Sequence, residues 1–375
     1  MTAIFPFGFS LPTAFYLTLY VLTFVLHQMF MHYVLAGSLY VAWAAAWPGQ
    51  GSRPRTEQTL SAVLRDWMPF LLSAAITVGV APLLFIQIVY QRQFYTANLL
   101  LWWRWMMVVP VLIGAFYLLY LIKSSWLWRW PYGVRVAVAA GTSICFLFVG
   151  FCWTANHLLA NSGADWPEVY ATGRLPFSAG AVIPRMLVWI GGSFATMSAI
   201  VGWQLFYRQT WSEAGAVESP EQRADLRTSV RTLASLTGGG LTIAVLAGLL
   251  SIVLGGASSR SLLWSGLILP YLCLTVAGLV LQGIGWRWQW QASRFDIRGL
   301  MAATAGAVCS VLGVAVIREG VRLRAVDLVS LAPQHAQAAT VGGFGVFIAA
   351  ALLVSILIAW CVRLVKVSWS PQVNK

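Results

Sequence analysis

The chain has 375 residues, of which 59% are hydrophobic and 9% are charged, and its mean hydropathy is +0.76. A soluble domain carries roughly a quarter charged residues, so this composition excludes an ordinary water-soluble protein. The net charge of +13 comes from basic residues scattered between apolar segments, without the basic run typical of a nucleic-acid-binding protein. We therefore exclude nucleic acid as a partner and expect the lipid bilayer to surround most of the chain.

Apolar segments long enough to cross a membrane follow one another along the chain. A helix needs about 20 mostly apolar residues to span ~30 Å of hydrocarbon. The segments that satisfy this are 15–47, 68–91, 97–122, 135–160, 181–207, 231–256, 261–286, 298–317 and 341–365. The sequence thus predicts an all-α, polytopic membrane bundle of about nine helices. It forms a single domain, 1–375, with a polar cytoplasmic linker at 209–230.

The distribution of Lys and Arg predicts the orientation of the bundle. Sixteen of these residues follow the odd-numbered spans, counting the C-terminal tail, and eight lie on the other side. Because cytoplasmic loops are enriched in Lys and Arg, we expect the N-terminus outside and the C-terminus in the cytoplasm of a bacterial inner membrane. Residues 161–177 and 319–340 then form outer loops, and tryptophans at span ends, including Trp286 and Trp290, form the aromatic belt.

Three of the four histidines, His27, His32 and His157, lie inside apolar spans, where an imidazole without a partner is costly. His27 is 20 residues from Trp47, and His157 is 22 residues from Arg135. At 1.5 Å per residue these separations are ~30 and ~33 Å, so both histidines lie at one depth near the outer face. His32 is rotated by about 140° from His27 and must face a different neighbour.

These histidines predict either haem ligation or buried hydrogen bonding. Imidazole is a common axial ligand of haem iron, and helical bundles accommodate flat apolar cofactors. In the first interpretation, His27 and His157 bind one b-type haem iron from opposite sides, and His32 binds a second haem or a neighbouring helix. Arg104 and Arg185 either neutralise haem propionates or reach phosphate headgroups.

Outside the spans, His335 is expected to be a solvated loop residue. No Asp or Glu lies inside the predicted spans, and Glu319 lies at the outer end of the eighth. A proton pump, a proton-coupled transporter or an oxygen-reducing site needs titratable groups along its proton path. The sequence supplies no such carboxylate path, which argues against these classes, and a solute transporter is a third, less favoured interpretation, since no pair of broken helices is evident.

Several segments carry a family resemblance. They are LHQMFMHYVLAGS around His27, AAITVGVAPLLFIQIVYQRQFY in the second span, WTANHLLANSG around His157, and VIREGVRLR at the end of the eighth span. With this order of spans, nearly the whole chain resembles subunit I of the cytochrome bd quinol oxidases and related bd-like membrane cytochromes. The resemblance implies that His27 is a haem ligand and that Asn156 lies beside the haem pocket.

The chain also departs from that family. IPRMLVWIGG offers no histidine ligand, SSRSLLWSGL offers no methionine ligand, and LLLWWRWMMVVPV lacks the glutamates that deliver protons. The segment that corresponds to the long quinol-binding loop is reduced to about 256–260. We therefore expect a divergent member that does not reduce oxygen itself.

The resulting functional prediction is an electron-transfer subunit of an oxidoreductase complex. It holds one haem b, or two if His32 also binds iron, and it exchanges electrons between the quinone pool and other membrane subunits or a periplasmic c-type cytochrome. Quinone is a second candidate cofactor. The alternative is a haem-free structural subunit that anchors a larger respiratory complex.

Overall fold

The computed structural model describes residues 3–47, 55–177, 179–213, 220–292 and 294–340, together with 345, 347–353, 355–356, 359–360 and 363. Within these ranges the chain is predominantly α-helical and contains no β-strand. The helices are α1 (Leu11–Ala46), α2 (Arg55–Val89), α3 (Gln91–Leu101), α4 (Trp103–Met106), α5 (Val108–Lys123), α6 (Tyr132–Ala160), α7 (Trp166–Thr172), α8 (Ala179–Glu213), α9 (Pro220–Leu254), α10 (Gly256–Leu263), α11 (Leu269–Gln291), α12 (Ile297–Ala325) and α13 (Leu328–Thr340).

Eight stretches of the described chain are long and apolar enough to cross a membrane. They are Leu11–Ala46, Leu60–Val89, Trp103–Lys123, Tyr132–Ala160, Gly180–Gln209, Ala224–Leu254, Leu269–Gln291 and Ile297–Ala325. The predicted all-α, polytopic membrane bundle is thereby confirmed. The ninth predicted span, 341–365, lies partly outside the described residues, and those of its residues that are described are helical.

Helix α1 occupies the centre of the bundle, where it lies against α2, α6, α8, α12 and α13. Its first half packs in an apolar core with Phe85 and Val316, and its second half packs in another core with Leu64 and Met197. In lipid each helix satisfies its own backbone hydrogen bonds, so the packing of side chains decides which helices become neighbours.

Glycines allow α11 and α12 to approach very closely. A Cβ atom at Gly285 would lie 2.5 Å from the backbone nitrogen of Ala303, and one at Gly306 would lie 2.6 Å from the carbonyl oxygen of Gly278. Small residues at such an interface let two backbones touch and gain dispersion energy. Between the two helices, the Gln282 side-chain amide donates to the Ser310 hydroxyl at 3.0 Å.

The connection between α11 and α12 is short and hydrogen-bonded. The Asp296 carboxylate accepts from the backbone N–H of Gly299 at 3.2 Å, which caps the first turn of α12. Gln289 in the last turn of α11 accepts from the Asp296 backbone N–H at 3.1 Å and donates to the Asp296 carbonyl. These bonds fix the turn that places α11 and α12 side by side.

The eighth predicted span ends too early. The sequence template stopped at residue 317 because charged residues follow, yet α12 continues to Ala325. The charged side chains of this last part have hydrogen-bond partners on neighbouring elements, and such pairing lets the helix continue. The segment 319–340 is therefore not an outer loop, since it contains the end of α12 and all of α13.

Two other boundaries also differ from the sequence prediction. The third span is interrupted at Trp102, which has φ 46°, a left-handed conformation that is rare for residues other than glycine. The seventh span is shifted, because Pro270 lies in the first turn of α11 and an additional short helix, α10, precedes it. In the predicted linker, residues 209–213 and 220–230 are helical, and residues 214–219 lie outside the described chain.

Candidate functional site

His157 lies near the end of α6 and is almost completely buried, with 5% of its surface exposed. Its Nδ1 atom lies 3.2 Å from the side-chain amide of Asn161, one helical turn further on. Its Nε2 atom is buried and makes no hydrogen bond of regular geometry, and the Arg318 backbone lies within polar contact of the imidazole. A polar atom in this state is costly inside a membrane protein, so this nitrogen is a candidate for binding a ligand or metal.

A group of polar side chains lies next to His157, and we call it the arginine cluster. It consists of Tyr20 on α1, Tyr90 between α2 and α3, and Arg318, Glu319 and Arg322 on α12. Glu319 accepts a hydrogen bond from the Tyr90 hydroxyl and forms an ion pair with Arg322 at 3.2 Å. The Tyr20 hydroxyl accepts from Arg318 at 3.2 Å and from Arg322 at 3.4 Å.

Aromatic rings surround the two arginines. The Arg322 guanidinium lies 4.7 Å from the centre of the Tyr90 ring, and that of Arg318 lies 5.1 Å from the centre of the Phe24 ring. Contacts of this kind stabilise a cation that has been removed from water. They add no negative charge, so they leave the charge balance of the cluster unchanged.

Positive charge exceeds negative charge at this site. Arg185 on α8, Arg318 and Arg322 are all close enough to interact electrostatically with His157. Against these three cations the cluster holds one carboxylate, Glu319, which leaves a net charge of +2. Arg322 is only 1% exposed, and its Nε and Nη2 atoms have no hydrogen-bond partner. The arrangement can therefore accept an anion beside the free nitrogen of His157.

His27 and His32 contact other helices. The Nδ1 atom of His27 lies 2.9 Å from the carbonyl oxygen of Ala75 on α2, and the ring packs where Gly79 leaves space for it. His32 is 5% exposed, and its Nδ1 atom lies 3.1 Å from the Thr196 hydroxyl on α8. The 140° rotation between the two histidines thus separates an α2 neighbour from an α8 neighbour, as the sequence predicted.

These contacts fix the protonation of both rings. A carbonyl oxygen only accepts, so Nδ1 of neutral His27 carries the proton and its Nε2 atom has a free lone pair. The Thr196 hydroxyl donates to the carbonyl oxygen of Gly192, so it accepts from Nδ1 of His32, which again leaves Nε2 unprotonated. Metal-ligating histidines in proteins are held in this way.

His27 and His157 have neighbours on different helices, since the first imidazole faces α2 and the second lies near the α12 arginines. Their joint ligation of one iron therefore stays a prediction. Of the other predicted site residues, Asn156 is 1% exposed and donates to the Asn98 side chain on α3 at 2.6 Å. The Arg104 guanidinium lies 5.2 Å from the centre of the ring of Trp103, the preceding residue.

His335 was expected to be solvated, and this is wrong. It is 1% exposed in α13, where its Nδ1 atom lies 2.8 Å from the Thr13 hydroxyl and its Nε2 atom lies 3.2 Å from the carbonyl oxygen of Val89. Burial lowers the pKa of His335, because the charged form loses water. The expectation failed because it treated a segment without a long apolar run as a loop.

Sequence reasoning missed most of the arginine cluster. The predicted eighth span ended just before Arg318, Arg322 was assigned to a loop, and the tyrosines carried no signal of their own. The four-residue spacing of the two arginines places them on one face of a helix, which would have revealed the site had α12 been extended by two turns. In the part of the chain that the structure describes, His, Cys, Asp and Glu side chains form no group of three or more that could hold a bare metal ion.

Comparison of the chain with family models, with curated proteins and with solved structures gives no match.

Proposed function

We propose that the chain is a bd-like membrane subunit that holds b-type haem and transfers electrons between the quinone pool and other membrane subunits or a periplasmic c-type cytochrome. One observation carries this proposal. It is the buried Nε2 atom of His157, which makes no regular hydrogen bond, beside three arginines and one carboxylate with a net charge of +2. A haem supplies iron for the nitrogen and carboxylates for the cations.

The residues fit haem better than they fit a bare metal ion. A bare ion needs about three or four protein ligands, whereas a porphyrin supplies four nitrogens and asks the protein for one or two. Three imidazoles lie at separate positions in the helical bundle, and each has a protein partner at Nδ1. That arrangement suits axial ligation at one or two haems. His157 would be one ligand, and His27, His32 or both would be the remaining ones.

Ligation through His157 requires a particular hydrogen bond. As placed, the Asn161 amide donates to Nδ1, so a neutral ring carries its proton on Nε2. When the amide is turned over, its oxygen accepts from Nδ1 and Nε2 is free to bind iron. The Asn161 oxygen is buried without a partner in the first orientation, so the second one gives it a donor.

The charges agree with the two propionates of haem b. The three arginines and Glu319 sum to +2, and two ionised propionates would bring the local charge to zero. Arg322 has two unused nitrogens for such contacts. Arg185, for which the sequence left both propionates and phosphate headgroups as partners, lies near His157 and supports the propionate role, whereas Arg104 lies against Trp103.

Bound haem would supply one-electron chemistry, and the residues of this chain would hold and tune it. The imidazoles would hold the iron, the arginines would neutralise the carboxylates, and the surrounding apolar helices would exclude water. Cationic neighbours favour the reduced state, which has one more electron, and so they raise the reduction potential. Oxygen reduction is not part of the proposal, because the ligands and carboxylates that the family uses for it are missing from the sequence.

An absorption spectrum tests the proposal directly. The full chain, purified from membranes with its partners, should contain about one or two haems by pyridine haemochrome assay and show α and β bands on reduction. His157→Ala should remove or convert this signal. Arg318→Gln, which keeps the imidazole, should retain haem and lower its midpoint potential in a redox titration.

His335→Ala is the matched control, since it removes another buried histidine from outside the spans and should leave the spectrum unchanged. A preparation without haem, containing folded protein and its partners, would overturn the proposal. The structural, anchoring subunit would then be the better interpretation.

The orientation is part of the same proposal. A periplasmic electron partner requires the His157 end of α6 to face outward, which agrees with the distribution of Lys and Arg in the sequence. Alkaline phosphatase fused after Phe177 should be active, and the same enzyme fused after Glu218 should be inactive. The opposite pattern contradicts this orientation.

A further inference from the structure

A groove of about 430 Å³ lies between α9 and α11, away from the histidines and the arginine cluster. Gly238 on α9 and Gly283 on α11 line it, and a Cβ atom built at either position meets no atom within 4 Å. Gly285, two residues after Gly283 on α11, faces α12 and has no room for a Cβ atom. The two faces of α11 therefore differ, since one is packed against α12 and the other is open.

Two buried polar groups of the groove lack partners. Thr237 is 2% exposed and Trp286 is 4% exposed, and both line the groove. Neither the Thr237 hydroxyl nor the Trp286 indole nitrogen has a hydrogen-bond partner. The burial of Trp286 also corrects its assignment to the aromatic belt.

The state of Thr237 differs from that of its neighbours on α9. Thr228, Thr232 and Thr242 each donate their hydroxyl to the carbonyl oxygen four residues earlier. This is the usual way for a helix to satisfy a threonine in an apolar environment. The Thr237 hydroxyl is thus available as a donor, as is the Trp286 indole N–H, and both require a ligand with acceptor oxygens.

Cationic side chains lie at one end of the groove. Arg287 lines it and is exposed, and the Arg231 guanidinium lies 5.6 Å from the centre of the Trp290 ring, which also lines it. Arg231 precedes Thr237 by six residues, which is ~9 Å along a helix. The groove therefore changes from cationic at its mouth, to hydrogen-bond donors, to apolar groups such as Leu241.

From this order of groups we propose that the groove binds one anionic phospholipid. The phosphate lies at Arg231 and Arg287, the ester carbonyl oxygens accept from Thr237 and Trp286, and an acyl chain occupies the space beside the two glycines. A quinone ring also has acceptor oxygens, but it has no anion for the arginines. This site is independent of haem binding, because it uses none of the residues proposed for that function.

A thermal-shift experiment on the delipidated full chain in detergent tests this site. Phosphatidylglycerol should raise the unfolding temperature, and phosphatidylcholine at the same concentration should raise it much less. Gly283→Leu places a side chain in the groove, and its Cβ meets no protein atom within 4 Å, so the variant should fold normally and bind phosphatidylglycerol at least about tenfold more weakly. Arg287→Gln should remove the preference for phosphatidylglycerol over phosphatidylcholine.

Gly114→Leu is the matched control, because Gly114 on α5 is also exposed with no atom within 4 Å of an added Cβ. It should respond to phosphatidylglycerol as the wild-type chain does. An equal response to both lipids, or an unchanged response in Gly283→Leu, contradicts the proposal. A shift caused by a short-chain ubiquinone analogue and abolished in Gly283→Leu, without a phosphatidylglycerol effect, would assign the groove to quinone instead.

Discussion

The two halves of α12 bury different chemistry. Its first half packs against α11 through Gly299 and Gly306, and the side chains between the two helices are small or uncharged. Its second half carries Arg318, Glu319 and Arg322 into contact with tyrosines of other elements. Charge in a membrane interior is costly and is retained where it has a use, so the second half marks the site and the first half supports it.

The largest expected effect comes from removing the only carboxylate of the arginine cluster. Glu319→Gln leaves Arg322 buried without its counter-charge, and breaking a buried ion pair in this way costs about 3–5 kcal/mol. The unfolding temperature of the purified chain should fall accordingly. Adding Arg322→Gln should recover part of the loss, because the double variant buries one unpaired cation fewer than Glu319→Gln alone.

Glu168→Gln is the control for that substitution, since this carboxylate is exposed on α7. It should change the unfolding temperature little. If Glu319→Gln and Glu168→Gln behave alike, the ion pair does not stabilise the cluster.

A smaller effect is expected in the first half of α12, where it packs against α11. Gly285→Ala places a methyl group 2.5 Å from the Ala303 nitrogen and 2.7 Å from the Gly299 oxygen, so α11 and α12 must separate. Overpacking of this kind costs about 1–3 kcal/mol. Gly283→Ala, on the open face of the same helix, should have no such cost. Thermal unfolding of the two variants side by side decides the matter, and equal stability contradicts the close packing.

The smallest effect concerns pH and α13, which packs at the same end of the bundle as the arginine cluster. Because burial lowers the pKa of His335, the folded state binds a proton less readily than the unfolded state. The stability that neutral His335 contributes is complete above the unfolded pKa of about 6.5 and decreases as pH falls below it. His335→Gln should therefore show a weaker loss of stability between pH 7 and pH 5 than the wild-type chain.

Subtracting the two pH profiles removes the contribution of every other titratable group. A difference that stays constant with pH shows that protonation of His335 does not affect folding. The stability of the wild-type chain minus that of His335→Gln should grow as pH rises from 5 to 7, and a difference that shrinks over this range contradicts the sign of the argument.

Much of the fold follows from the sequence, because a bilayer requires long apolar helices and few other solutions exist. The boundaries that failed depend on contacts between helices. The last eight residues of α12 are helical because Tyr20 and Tyr90 provide partners for its charges. An apolar-run template contains no information about such partners.

The candidate site was predicted only in part, because the sequence template contains no information about contacts between helices. His157 and Arg185 could be found as rare polar residues near an apolar span, and the structure places both near the arginine cluster. Arg318 and Arg322 could not be assigned, since their burial depends on the extended helix. The neighbours of His27 and His32 follow from helix packing, and the spacing of the two residues showed only that these neighbours differ.

The short, hydrogen-bonded connection between α11 and α12 has a consequence for biosynthesis. Alone in lipid, α11 would expose the Gln282 amide, whereas beside α12 this group donates to Ser310. The bonds between Gln289 and Asp296 form as soon as the connecting turn has been synthesised. We therefore expect the insertion machinery to release the two helices into the membrane together, as a preformed helical hairpin, before the hairpin docks against α1 and α8.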